Sequence, residues 1–95
     1  MQLTFIETAL FSQLLPSYLT DDEFAQLQQR LLICPTRGVR IKGTGGFRKL
    51  RWVAPADGKG KRSGLRLIYY YLPAVRQVWL FTLYQSKMLD LTPDE

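Results

Sequence analysis

Two hydrophobic periods run along this chain, and the change between them follows the segment CPTRG at residues 34–38. Before it the period is mostly helical. LTFIE alternates well enough for a short first strand, and TALFSQLLPSYL then places Leu10, Phe11, Leu14 and Leu15 at helical spacing until Pro16 interrupts it. A second helix has a fuller signature. Thr20 with Glu23 three residues on forms a capping box, Asp21 and Asp22 occupy the first turn where the helix dipole favours anions, and Leu19 and Phe24 take the staple positions around the cap. Phe24, Leu27, Leu31 and Leu32 make one apolar stripe, which CPTRG ends.

After that point the period is two. FRKLRWV puts Leu50 and Trp52 on one face and Lys49 and Arg51 on the other, and APADGKGKRSG leads as a long turn into LRLIYYYL, so a hairpin is predicted. PAVRQ makes another turn before VWLFTLY, a third strand of strong β-formers. These strands are apolar on both faces in places, which predicts at least partial cover on both sides of the sheet, with the helices as one cover. The final DLTPDE sets Thr at an N-cap, Pro at the first helical position and two acids behind it, which is how a helix begins, so a trimmed C-terminal helix is expected. No internal repeat is present.

The chain's 95 residues, 46% of them hydrophobic, suffice for one folded domain, 1–95, with one modest core. The formal charge of +5 favours polyanionic partners, and its distribution says more than its total. Arg37, Arg40, Lys42, Arg48, Lys49, Arg51, Lys59, Lys61, Arg62 and Arg66 fall within a stretch holding one acid, Asp57. That is a patch. Cys34 has neither a second cysteine nor any histidine with it, which gives no disulfide, no zinc site and no cysteine-protease arrangement. The N-terminus has no cationic leader before a long apolar run, and no segment reaches the length of a membrane span, which points to the cytoplasm.

GTGG and GKGKRSG fit neither dinucleotide-binding nor P-loop patterns, so no nucleotide cofactor is expected. Gly43, Gly45 and Gly46 instead suit backbone angles that bring the chain tightly into the sheet. The basic residues admit a plain reading as a solvated strand face and a charged loop that discourages edge aggregation. Alternation goes further: Lys49 and Arg51 share a face, Arg66 would lie across from them in the hairpin, and three like charges side by side suit a bound anion such as phosphate. Period two brings Tyr70 to the side of Arg66, where it would stack on a base or bond a phosphate, while Tyr69 and Tyr71 read as structural. Without histidine, and with no obvious carboxylate pair, an enzyme built this way must use lysine, arginine, tyrosine and the substrate itself. RNA brings its own nucleophile in the 2′-hydroxyl; arginines would stabilise the charge of the transition state, and a lysine crowded by other cations would accept or relay a proton.

In order, GTGGFRKLRW, GKGKRSGLRLIYYYL, VWLFTLYQSK and DLTPDE resemble the RelE superfamily of toxins from bacterial toxin-antitoxin modules, specifically its HigB-like branch, over most of the chain. The resemblance implies a RelE-like α+β fold, with an N-terminal strand and two helices packed on a mostly antiparallel sheet of about four strands, and a truncated C-terminal helix. It implies a ribosome-dependent endoribonuclease that cuts mRNA in the decoding site without metal or small-molecule cofactor. Carried over by position, Lys49, Arg51, Arg66, Lys87 and Tyr84 are the catalytic candidates, and Ser86 competes with Lys87 for one place because the spacing after the tyrosine is unusual. Arg48, Lys59, Lys61, Arg62 and Tyr70 are the candidates for RNA binding, and the loop from Asp57 to Ser63 would contact ribosomal RNA. An antitoxin with a helix-turn-helix is the expected partner, beside the ribosome and mRNA. Two other readings share these residues: a ParE-like toxin that inhibits DNA gyrase without cutting RNA, and a non-catalytic RNA-binding module. An inhibitor has no need of a phosphate-binding trio, which disfavours the first.

Overall fold

The computed structural model describes residues 2–52 and 64–86. The element order is β1 (Thr4–Glu7), α1 (Ala9–Tyr18), α2 (Asp21–Ile33), β2 (Val39–Arg40), β3 (Phe47–Trp52), β4 (Leu65–Leu72), a 3₁₀ turn (Pro73–Val75) and β5 (Gln77–Gln85). The strands form one sheet in the order β1-β5-β4-β3-β2. All neighbours run antiparallel except β1, which pairs parallel with β5. The sheet therefore has five strands where about four were expected: β1 joins it as an edge strand, and Val39–Arg40 adds a second edge too short to leave a periodic signal.

Each helix starts where its cap directs. Thr8 Oγ1 accepts from the Phe11 N–H at 3.1 Å and donates to the Phe81 carbonyl at 2.8 Å, so one side chain caps α1 and ties it to β5. At α2 the capping box is complete, with the Glu23 N–H donating to Thr20 Oγ1 at 3.1 Å and the Thr20 N–H to Glu23 Oε1 at 2.8 Å. Pro16 does not end α1, which continues to Tyr18. It stands in the last turn, and Ser12, whose carbonyl loses a donor there, is exposed to water.

Both helices cover the same face of the sheet. Phe11 and Leu19 from the first helical segment, and Leu27 and Leu31 from α2, join Leu50, Trp52, Leu65, Leu67, Tyr69, Val78, Leu80 and Leu83 in one core. Arg30 lays its guanidinium over the Trp52 ring, 5.1 Å from the centroid. Tyr69 is fully buried, yet its hydroxyl is satisfied: it donates to the Pro35 carbonyl at 2.7 Å and accepts from the Gly38 N–H at 2.8 Å. The end of α2 and the approach to β2 are thereby fixed to the centre of the sheet. Gly43, Gly45 and Gly46 adopt φ of 79°, 81° and 136° before β3, the left-handed angles that glycine takes most readily. No helix among the described residues is long and apolar enough to cross a membrane. The predicted C-terminal helix start lies outside the described residues.

Candidate nucleic-acid interface

The pleat that turns Leu50 and Trp52 into the core turns Phe47, Lys49 and Arg51 to the opposite face. On β4 the same alternation buries Leu65, Leu67 and Tyr69 and leaves Arg66, Ile68 and Tyr70 on that opposite face. Register then decides which of them meet. Arg51 pairs with Arg66, Lys49 with Ile68 and Phe47 with Tyr70. Across to β5, Arg66 pairs with Tyr84, Ile68 with Thr82 and Tyr70 with Trp79.

The face consequently carries three cross-strand rows: Arg51, Arg66 and Tyr84; then Lys49, Ile68 and Thr82; then Phe47, Tyr70 and Trp79. Successive rows are about 7 Å apart along the strands. Charge is gathered in the first two rows and aromatic surface in the third. Like charges directly opposite one another weaken a sheet, and an anion bound between Arg51 and Arg66 would offset such repulsion. Two planar guanidinium groups with an ammonium one row away can grip a phosphate and stabilise added negative charge on it, and the Tyr84 phenol can bond an oxygen of that phosphate.

β5 reaches this arrangement through a bulge. Pairing with β4 steps from Ile68–Thr82 to Tyr69–Leu80, leaving Phe81 as the extra residue. Without that step, strict alternation from Val78 and Leu80 would send Thr82 and Tyr84 into the core. With it, Leu83 is buried and Tyr84 stands beside Arg66.

Other candidates are placed differently. Arg48, grouped with the RNA-binding residues from the sequence, lies on the helix side of β3, where its Nη1 donates to the carbonyls of Gly38 at 2.8 Å and Thr36 at 3.2 Å. It braces the connection from α2 to β2. Period two already sets Arg48 and Lys49 on opposite faces, so alternation alone separates them. Tyr70 does lie on the cationic face, but its hydroxyl donates to the Gly45 carbonyl at 2.9 Å and its ring meets Phe47 edge-on at 5.0 Å. It pins the glycine turn, and what remains for a ligand is ring surface. Ser86 is buried, and its N–H donates to the Gly64 carbonyl at 2.7 Å. Lys59, Lys61, Arg62 and Lys87 lie outside the described residues, as does the loop from Asp57 to Ser63. Trp79 and Phe81, which the sequence reading passed over, stand 40% and 42% exposed on this face. Alternation within VWLFTLY is their only local signal.

No family model matches the chain. Among solved structures it is similar to the isolated toxin RelE of E. coli, with a TM-score of 0.64 and 14% identity over 95% of this chain and 90% of that one. A double arginine-to-alanine mutant of the E. coli toxin RelE is similar in complex with the antitoxin peptide RelBc, with a TM-score of 0.60 and 14% identity over 92% of this chain and 86% of that one. The same mutant in the free state gives a TM-score of 0.57 and 16% identity over 95% and 90%. The fold is RelE-like: α+β, two helices on one face of a five-stranded mixed sheet.

Proposed function

We propose that this chain is the toxin of a bacterial toxin-antitoxin module and cuts messenger RNA on the ribosome, as a member of the HigB-like branch of the RelE superfamily. The observation that carries this reading is the register that sets Arg51 opposite Arg66, and Arg66 beside Tyr84, on the face of a RelE-like sheet that neither described helix covers. Arg66 grips the scissile phosphate and stabilises the charge that grows on it. Lys49 and Arg51 hold the flanking backbone.

The substrate supplies the nucleophile. Its 2′-oxygen forms a bond to the adjacent phosphorus while the bond from phosphorus to the 5′-oxygen breaks, leaving a 2′,3′-cyclic phosphate and a 5′-hydroxyl. The 2′-hydroxyl gives up its proton through the Lys49 side chain, which passes one of its own to solvent and stays an ammonium, and the departing 5′-oxygen takes a proton from Tyr84 or Lys87. The basic residues Lys59, Lys61 and Arg62 would bind ribosomal RNA phosphates, whose attraction is independent of sequence. The partner in the cytoplasm would be a helix-turn-helix antitoxin that masks the cationic face with acidic or apolar segments. The E. coli toxin in complex with an antitoxin peptide supports an antitoxin partner by analogy of fold.

The test is to express the chain in bacteria, with Arg66→Ala beside it, and to map the 5′ ends of a translated mRNA and of the same mRNA without its start codon. Cuts confined to the translated message, and reduced at least about a hundredfold by Arg66→Ala, are expected. Growth arrest without cuts would move the target to DNA gyrase. Cuts that persist undiminished in Arg66→Ala would remove Arg66 from the chemistry.

A further inference from the structure

The third row of the open face has no part in gripping phosphate, yet it is built into a pocket. Thr8, Phe47, Tyr70, Leu72, Trp79 and Phe81 line a half-open apolar hollow of about 220 Å³ on the same side of the sheet as Lys49. Its aromatic members brace one another: Phe47 meets Tyr70 edge-on at 5.0 Å and lies 5.5 Å from Phe81. The polar atoms around it are already bonded, Thr8 Oγ1 to the Phe81 carbonyl, the Tyr70 hydroxyl to the Gly45 carbonyl, and Trp79 Nε1 to Gln77 Oε1.

We infer that this pocket is a nucleobase subsite, taking by stacking the base of a nucleotide next to the phosphate that Lys49, Arg51 and Arg66 hold. The inference deepens the function proposed above and rests on it for the strand's being RNA. Three features select this occupant. The hollow is smaller than a cavity for a drug-sized molecule, which suits one flat ring. It lies one row, about 7 Å, from Lys49 on the same face, so an occupant that also reaches the cations carries an anion, and a nucleotide is such a molecule: an apolar π-face on a charged backbone. With its polar atoms committed, the pocket grips a base by its faces and does not read its hydrogen-bonding edge, so binding should tolerate any base and favour the larger purines.

The experiment compares a short single-stranded RNA with a strand of the same length and phosphate count whose nucleotides are abasic. Tryptophan emission reports directly, because Trp79 is exposed whereas Trp52 is buried under Arg30. Expected for the full chain are quenching and about tenfold tighter binding with the base-bearing strand than with the abasic one. Trp79→Leu and, independently, Phe81→Leu should lose that advantage while keeping affinity for the abasic strand, and Trp79→Phe should restore most of it. Both positions are partly exposed, and near-ultraviolet circular dichroism checks each variant's packing.

Equal RNA affinity in the parent, Trp79→Leu and Phe81→Leu would overturn the subsite and leave the pocket to a protein partner. Equal binding of the two strands by the parent would overturn it as well. If ribosome-dependent cuts are absent while base-dependent binding stands, the failure falls on the nuclease reading and the subsite holds.

Discussion

At the scale of single residues, the chemistry of this fold depends on where each polar group finds its partner. Tyr69 and Tyr70 are neighbours in sequence with opposite duties, one fixing the core side and the other the glycine turn. Burial pushes the Tyr69 phenol above its ordinary pKa, against the lowering effect of the Gly38 N–H. The unfolded chain's phenol ionises near pH ~10. Above that pH the unfolded state binds fewer protons than the folded one at this site, so stability falls as pH rises. Tyr69→Phe should lower stability at neutral pH by about 1–3 kcal/mol, since it strands the Gly38 N–H and the Pro35 carbonyl. It should also flatten the alkaline loss relative to the parent. Urea midpoints at pH 7 and above pH ~10 test both, and a variant as stable as the parent at pH 7 would contradict the first. Arg48 teaches the complementary lesson: a basic residue inside a basic stretch serves backbone carbonyls at the back of the sheet.

At the scale of elements, the sequence makes plain those features that depend on near neighbours. The capping box of α2, the β3–β4 hairpin and the turn before β5 all have signals within a few residues. The parallel pairing of β1 with β5 joins residues more than seventy positions apart, and nothing local announces it. The same holds for the bulge at Phe81, which decides that Tyr84 faces Arg66, and for the aromatic pocket that depends on it. That Lys49, Arg51 and Arg66 share one face was legible because both strands alternate cleanly and the hairpin fixes their register. Gly64, just before β4, holds the far side of that register. A Cβ there would come within 2.5 Å of the Ser86 carbonyl oxygen, which is backbone and yields only if β4 and β5 part. Gly to Ala in a strand ordinarily gains about 0.5–1 kcal/mol. Gly64→Ala should instead cost about 1–3 kcal/mol, as overpacking does, and under the proposed function should lower RNA cleavage by displacing Arg66 from Tyr84. A urea midpoint that rises would show that the strand ends accommodate the methyl.

At the scale of the whole molecule, the helices take one side of the sheet, and among the described residues the other side carries charge and aromatic surface. This division makes two kinds of affinity separable by salt. Each phosphate neutralised on a single strand releases condensed counterion, so log affinity falls with log salt at a slope of about −0.7 per contact. Base stacking carries no such dependence. If Lys49, Arg51 and Arg66 each meet a phosphate, their share of the slope is about −2, to which other cations of this chain, net charge +5, add. Arg66→Ala should therefore make the slope shallower by about 0.7 and weaken binding most at low salt. Trp79→Leu should weaken binding by a similar factor at every salt concentration and leave the slope unchanged. Titrations of one short RNA between about 50 and 200 mM salt decide it. Parallel lines for the parent and Arg66→Ala would mean that Arg66 meets no phosphate, and a slope altered by Trp79→Leu would mean that the aromatic row positions the cations and takes no base.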